Sequence, residues 1–176
     1  MSIEIDVLSG DTSRTLAEPL LNAVWPPDVV AKLPWADIVF AHADLRVLVR
    51  SESDEIVCHV GIFHREVTWD GRKMRAAGIG GVATREDARG QGYASVALNA
   101  AIHTLRAERA VDFAMLFCEP RHAAFYTARG WKRFDGEIYA EQPEKGRVRF
   151  TAIAPHVHDL KRAPRQGVID LCGLPW

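Results

Sequence analysis

Hydrophobic and polar positions change period several times along the chain, and each change predicts an element. Ile3, Ile5 and Val7 alternate with polar residues, the two-residue period of a short strand. Asp11, Thr12 and Ser13 then offer N-caps for a helix running to about Trp25, where Pro26 and Pro27 stop it. Residues 28–43 read as a short helix and then a loop around Pro34 and Trp35. From Leu45 the pattern is β, with strands over 45–49 and 56–67 joined by a turn at 51–54. Asp70-Gly71 marks a two-residue hairpin, since both central positions of a type I′ turn need positive φ. The return strand covers 73–84.

Beyond it, Ala94, Leu98, Ala101, Ile102 and Leu105 recur at helical spacing and predict a helix over 93–108. The unbroken apolar run 113–118 predicts a strand covered on both faces. Pro120 opens a further helix that Gly130 ends, and 131–134 and 148–153 are strand candidates with a hairpin loop over 141–147 between them. An antiparallel meander followed by alternating strands and helices makes an α/β (mixed α+β) fold: one mostly antiparallel mixed sheet with helices on both faces. No linker or repeat divides it, so 1–176 reads as one domain.

Composition narrows the partners. With 22 Lys and Arg against 23 Asp and Glu, the formal net charge is −1, which gives no electrostatic reason for a nucleic-acid or membrane partner. The start of the sequence lacks a basic region followed by an apolar stretch, and no apolar run approaches the roughly 20 residues of a bilayer span. Cys58, Cys118 and Cys172 are odd in number and far apart in apolar contexts, which suits reduced core thiols and a cytoplasmic location.

Chemistry concentrates around glycines. Gly78, Gly80 and Gly81 interrupt a strand, which signals a bulge, close packing under a bulky side chain, or a ligand against the backbone. Gly78-Ile79-Gly80-Gly81-Val82-Ala83 spells the G-x-G-x-x-A dinucleotide fingerprint, but it opens no helix and no carboxylate stands about 20 residues on. No G-x-x-x-x-G-K-[ST] loop is present. The sequence Arg89-Gly90-Gln91-Gly92-Tyr93-Ala94, by contrast, opens the 93–108 helix. There, converging N–H groups and the helix dipole can hold a pyrophosphate, with Arg89 adding a charged contact.

In combination the strand, the R-x-x-G-x-A turn, the amphipathic helix, the apolar strand and the helix bearing Phe125-Tyr126 resemble the GNAT superfamily of N-acetyltransferases, well over 45–134 and loosely beyond. Cys58-His59-Val60, Gly80-Gly81-Val82-Ala83, Arg89-Gly90-Gln91, the 125–131 stretch and the closing Leu171-Cys172-Gly173-Leu174-Pro175-Trp176 are similar to aminoglycoside 2′-N-acetyltransferases. A fainter similarity to nodulation acyltransferases covers roughly 58–98. The resemblance implies a GNAT-like sheet with a splayed central strand pair and acetyl-CoA as acyl-donor cosubstrate. It further implies that Val82, Ala83 and Thr84 align the acyl-pantetheine arm and that Arg89, Gly90, Gln91, Gly92, Tyr93 and Ala94 form the pyrophosphate loop. Tyr126 would protonate the departing thiolate, and Trp176 would bind the acceptor, its carboxylate aimed at the amine. Gly80 and Leu174 stand where the aminoglycoside enzymes carry acids that help hold a polycation.

The residues allow direct attack of an amine in a ternary complex, which needs proximity, an N–H donor for the carbonyl oxygen and a phenol that is protonated at neutral pH. Glu119 ends the apolar strand and is a candidate base, directly or through water, or else a helix-start carboxylate. Phe125 is expected to pack inward and Tyr126 to point into the cleft. His156-x-His158 reads as a strand face, with no metal expected. His59 reads as a satisfied strand histidine, and Cys118 as an inert thiol. The expected activity is N-acetylation of a primary amine of a small molecule, an amino sugar among the candidates. A longer-chain N-acyltransferase and a non-catalytic coenzyme A sensor are the alternatives, and a homodimer is compatible with the sequence.

Overall fold

The fold is described from a computed structural model, which covers residues 3–176. Strand β1 (Glu4–Ser9) leads into helix α1 (Gly10–Val24), and Trp25 and Pro26 separate that helix from the single turn α2 (Pro27–Val30). The helix starts earlier than the cap residues suggested. Ser9 is the N-cap position, while Thr12 and Ser13 lie inside the first turns and return their hydroxyls to the Ser9 carbonyl at 3.2 and 2.6 Å.

Strands β2 (Leu45–Arg50), β3 (Ile56–Trp69) and β4 (Arg72–Thr84) form the antiparallel meander, and the β3–β4 turn places Asp70 and Gly71 at positive φ as the Asp-Gly pair predicted. Helix α3 (Tyr93–Glu108), β5 (Phe113–Cys118) and the five-residue α4 (Ala123–Thr127) follow. The C-terminal part holds β6 (Lys132–Arg133), β7 (Asp135–Gln142), β8 (Gly146–Arg149), β9 (Ala154–Asp159) and β10 (Gln166–Asp170). The strand expected over 148–153 stops at Arg149. The pairing strand after it is β9, which carries Pro155 and contains the His156-x-His158 pair read as a strand face.

All ten strands share one sheet, in the order β6-β9-β5-β4-β3-β10-β7-β8, with β2 and then β1 added beside β3. Only β4–β5 and β7–β10 run parallel. Alternation along β2 separates the faces. Val47 joins the cluster under α3 and α4, with Tyr93, Leu98, Ile102, Leu116 and Trp131, whereas Arg46 looks the other way, towards Arg14 of α1. The second cluster, on the α1 face, gathers Phe63, Phe113, Met115, Phe134, Phe150 and Trp176. Cys58 and Cys118 are buried as expected, but Cys172 is exposed at positive φ, in the loop after β10.

Candidate functional site: a splayed strand pair beside a helix N-terminus

Strands β4 and β5 pair only from Ala76↔Phe113 to Ile79↔Leu116. Beyond that point β4 runs on to Thr84 and β5 to Cys118 without a ladder between them, leaving an unpaired edge of main-chain donors and acceptors on each. On its other side β4 slips register against β3. His59 pairs with Ala83 and Gly61 with Gly80, so Val60 faces both Gly81 and Val82. This is a β-bulge, and Gly81 at φ +58° supplies the left-handed residue that it needs.

The three glycines of β4 therefore have different tasks. Gly78 is a packing site: a Cβ there would lie inside the indole of Trp176. That indole donates from Nε1 to the Met115 carbonyl at 3.0 Å and stacks on Phe63. At Gly80 a Cβ would come 3.2 Å from the Trp176 main-chain carbon, so the end of the 171–176 segment lies against the splay. Arg65 holds that segment through the Leu171 and Leu174 carbonyls, both at 3.1 Å. Trp176 is thus part of the core on the α1 face, with its main chain rather than its ring at the open edge.

At the end of β4 a single 3₁₀ turn (Glu86–Ala88) leads to the loop that opens α3. Gly90 and Gly92 take φ +75° and +87°, and a Cβ at either would meet nothing within 4 Å. Gly92 is the N-cap and offers no side-chain oxygen, so the first-turn N–H groups stay free for a ligand. Arg89 is exposed and has no ion-pair partner among the described residues, its Nε donating to the Thr84 carbonyl at 3.1 Å. It lines a cleft of about 880 Å³ with Val24, Val29, Arg85 and Asp87. The side chain of Tyr93 is buried in the α3 cluster, so only its backbone faces the loop.

Tyr126 is also buried rather than pointing openly into the cleft, while Phe125 is partly buried and packs against the α3 cluster as expected. Phe125 lies on the outer edge of the short α4 under Arg129, 3.7 Å from its ring centroid, while Tyr126 faces the sheet and packs edge-on to Trp131. Burial, and then the Cys118 and Cys58 thiols, push the Tyr126 phenol above its usual range. Cys58 in turn lies 3.4 Å from the Thr84 hydroxyl, so Tyr126, Thr84 and the two thiols converge at the splay on the α3 face. Burial raises both of those thiols, and neither is an activated nucleophile.

Glu119 caps the end of β5 and lines a second pocket, of about 440 Å³, with Trp35, Arg133, Glu137, Arg149 and Phe150. It is half-buried and paired with Arg121 at 2.9 Å. No hydrogen bond joins Glu119 to Tyr126 among the described residues, although Glu119 acts on Cys118 and Cys118 on Tyr126. His156 and His158 lie on β9, the first beside Cys118 at 3.5 Å and the second against Trp131. No group of three metal-ligating side chains gathers among the described residues.

One buried feature had no sequence signal beyond the unremarkable His59. Arg46 Nη1 donates to His59 Nε2 at 2.8 Å, and His59 Nδ1 meets the Gly81 carbonyl at 2.7 Å. The contacts join residues on three strands and become visible only once the β2–β3–β4 register is set.

Comparison with known proteins decides the family. Residues 27–134 match the profile described as an acetyltransferase (GNAT) domain. The chain belongs to the GNAT acetyltransferase family. Solved structures share its fold. Escherichia coli YhbS, a GNAT family N-acetyltransferase solved in complex with CoA, superposes with a TM-score of 0.66 at 20% identity, over 97% of this chain and 89% of that one. Escherichia coli ElaA gives 0.62 at 17% identity, over 90% and 100%. A Brucella melitensis GNAT family acetyltransferase solved with acetyl-CoA gives 0.61 at 13%, over 96% and 94%. No curated protein matches the sequence. The splayed strands and the mixed sheet with helices on both faces are those expected of a GNAT fold.

Proposed function

We propose that this GNAT acetyltransferase uses acetyl-CoA to acetylate a primary amine of a small molecule, an amino sugar among the candidates, by direct attack in a ternary complex. The observation that carries the reading is a coincidence at one strand end: the bulged, unpaired edge of β4 runs into a glycine cradle at the N-terminus of the 16-residue α3. The cradle fits a pyrophosphate because Gly90 and Gly92 leave open space where side chains would stand and Arg89 is a cation without an ion-pair partner among the described residues. When bound, acetyl-CoA supplies an activated acyl thioester.

The chain's own residues supply the rest. Main-chain groups of Val82, Ala83 and Thr84 line up the acyl-pantetheine arm along the unpaired edge, with Gln91 and Ala94 completing the loop. A bulge N–H hydrogen-bonds the thioester oxygen as charge develops there. The amine nitrogen bonds to the acyl carbon as the carbon–sulfur bond breaks. Tyr126, which burial keeps protonated, gives its proton to the leaving sulfur, and Glu119 accepts the proton lost by the amine, directly or through water.

The acceptor is assigned to the 440 Å³ pocket, where Glu119 and Glu137 are balanced by Arg133 and Arg149. That balance, with Gly80 and Leu174 in place of acids, favours a small amine over a polycationic antibiotic. Trp176 borders the acceptor side through its main chain beside Gly80. Tyr126→Phe tests the reading. Turnover should fall about 10²–10⁴-fold with acetyl-CoA affinity retained. Wild-type turnover in that variant removes Tyr126 from the chemistry.

A further inference from the structure

The hydrogen bonds around His59 admit only one arrangement of protons. An arginine has no acceptor, so Arg46 Nη1 must donate and His59 Nε2 must carry a lone pair. A carbonyl has no donor, so His59 Nδ1 must carry the hydrogen that it shares with Gly81 O. Both ring nitrogens are thereby fixed, and protonation of Nε2 would set an N–H against a guanidinium. His59 is 1% exposed and Arg46 8%. Arg46 has no carboxylate partner among the described residues, and its Nε is buried without any hydrogen bond. A buried cation left this incompletely paired is costly to keep. What it secures is the imidazole, and the imidazole holds the one residue of β4 that stands in the left-handed region.

We infer that Arg46 and His59 are positioning residues for acyl transfer. Buried Arg46 locks His59 as the Nδ1–H tautomer, which grips the Gly81 carbonyl and fixes the bulge that presents β4 main-chain donors to the thioester. The inference rests on the proposed acetyl transfer at the splay. Neither side chain touches a reacting atom. Gly81 needs such a clamp because a bulge withdraws its residues from the regular β3 ladder, and the β5 side of the strand is already unpaired here. Steric contact supplements the hydrogen bond: a Cβ at Gly81 would come 3.1 Å from His59 Cε1, so the ring also limits how far the bulge can turn.

Two variants and one spectrum test this. His59→Asn keeps an N–H where Nδ1 stands, whereas His59→Phe keeps the bulk and loses the donor. His59→Phe should lower kcat by about 10²-fold, the effect of misplacing a reacting group by about an ångström, with the KM for acetyl-CoA little changed. His59→Asn should recover most of that loss. In nitrogen-15 spectra the wild-type ring should show protonated Nδ1 and bare Nε2, and Arg46→Met should let the second tautomer appear. The positioning role is overturned if folded His59→Phe retains wild-type kcat, if His59→Asn falls as far as His59→Phe, or if the wild-type ring carries its proton on Nε2. Should His59→Phe fail to fold, His59→Asn and the ring spectrum still decide. Coenzyme A binding without transfer by the wild type overturns the proposed function and, with it, the positioning of a transfer step. The spectrum then still reports whether the clamp itself exists.

Discussion

Lowering the pH should weaken this protein in a way that His59 accounts for, and the size follows from its surroundings. Burial, with the Arg46 charge adding to it and the Gly81 hydrogen bond opposing it, lowers the His59 pKa from 6.5 to about 4. In the unfolded chain the ring takes a proton near its ordinary value. Between the two values the unfolded chain binds more protons, so stability rises with pH across that window. The contribution is complete above pH 6.5 and is lost as the pH falls through the folded value. The loss amounts to about 2 kcal/mol at about pH 5 and about 3 kcal/mol at about pH 4. Other groups titrate in the same range, including His156 and His158, which burial also lowers. Urea unfolding of the wild type and of His59→Asn, from about pH 7.5 to about pH 4, removes them by difference, because distant sites add. The wild-type advantage over His59→Asn should shrink by about 3 kcal/mol across that range. A difference that stays flat, or grows on acidification, refutes the neutral, doubly bonded ring.

Two further outcomes follow from the glycines. Gly92→Asp puts a carboxylate beside the phosphate cradle in a left-handed position and should abolish the rise in Tm that acetyl-CoA produces by mass action; a folded variant with an unchanged rise removes the loop from the site. Gly78→Ala drives a methyl group into the Trp176 ring, an overpacking that costs typically 1–3 kcal/mol, or about that much in urea unfolding; an unchanged midpoint means that the indole does not sit there.

Most of the frame was legible in the sequence where the period was strong. The 93–108 helix and the 113–118 strand match α3 and β5, and the paired glycines before Tyr93 open α3 as read. Strand β10, five residues long with a glycine, escaped, and of β9, which contains Pro155, only the His156-x-His158 face was read. The burial of Tyr126 was missed because a five-residue helix takes its orientation from what it packs on, here Trp131 and the sheet, rather than from its own period. At the site the glycine turn that opens α3 is a local signal and could be read directly. The tasks of Gly78 and Gly81 could not, since they depend on a tryptophan and a histidine brought in from far along the chain. Glu119 and Tyr126 were both singled out, yet they reach the splay from different sides, one through the 440 Å³ pocket and the other from beneath α4.

The central claim is that an acetyl group passes from acetyl-CoA to a small primary amine at the β4–β5 splay. The most direct measurement supplies acetyl-CoA deuterated in the acetyl group, with a panel of small amines and amino sugars, and follows the amines by mass spectrometry. The account predicts an amine that gains the intact labelled acetyl group as an amide, at a rate that Gly92→Asp and Tyr126→Phe each reduce. Tight binding of acetyl-CoA with no labelled amide from any amine, at enzyme concentrations that saturate the site, would contradict it.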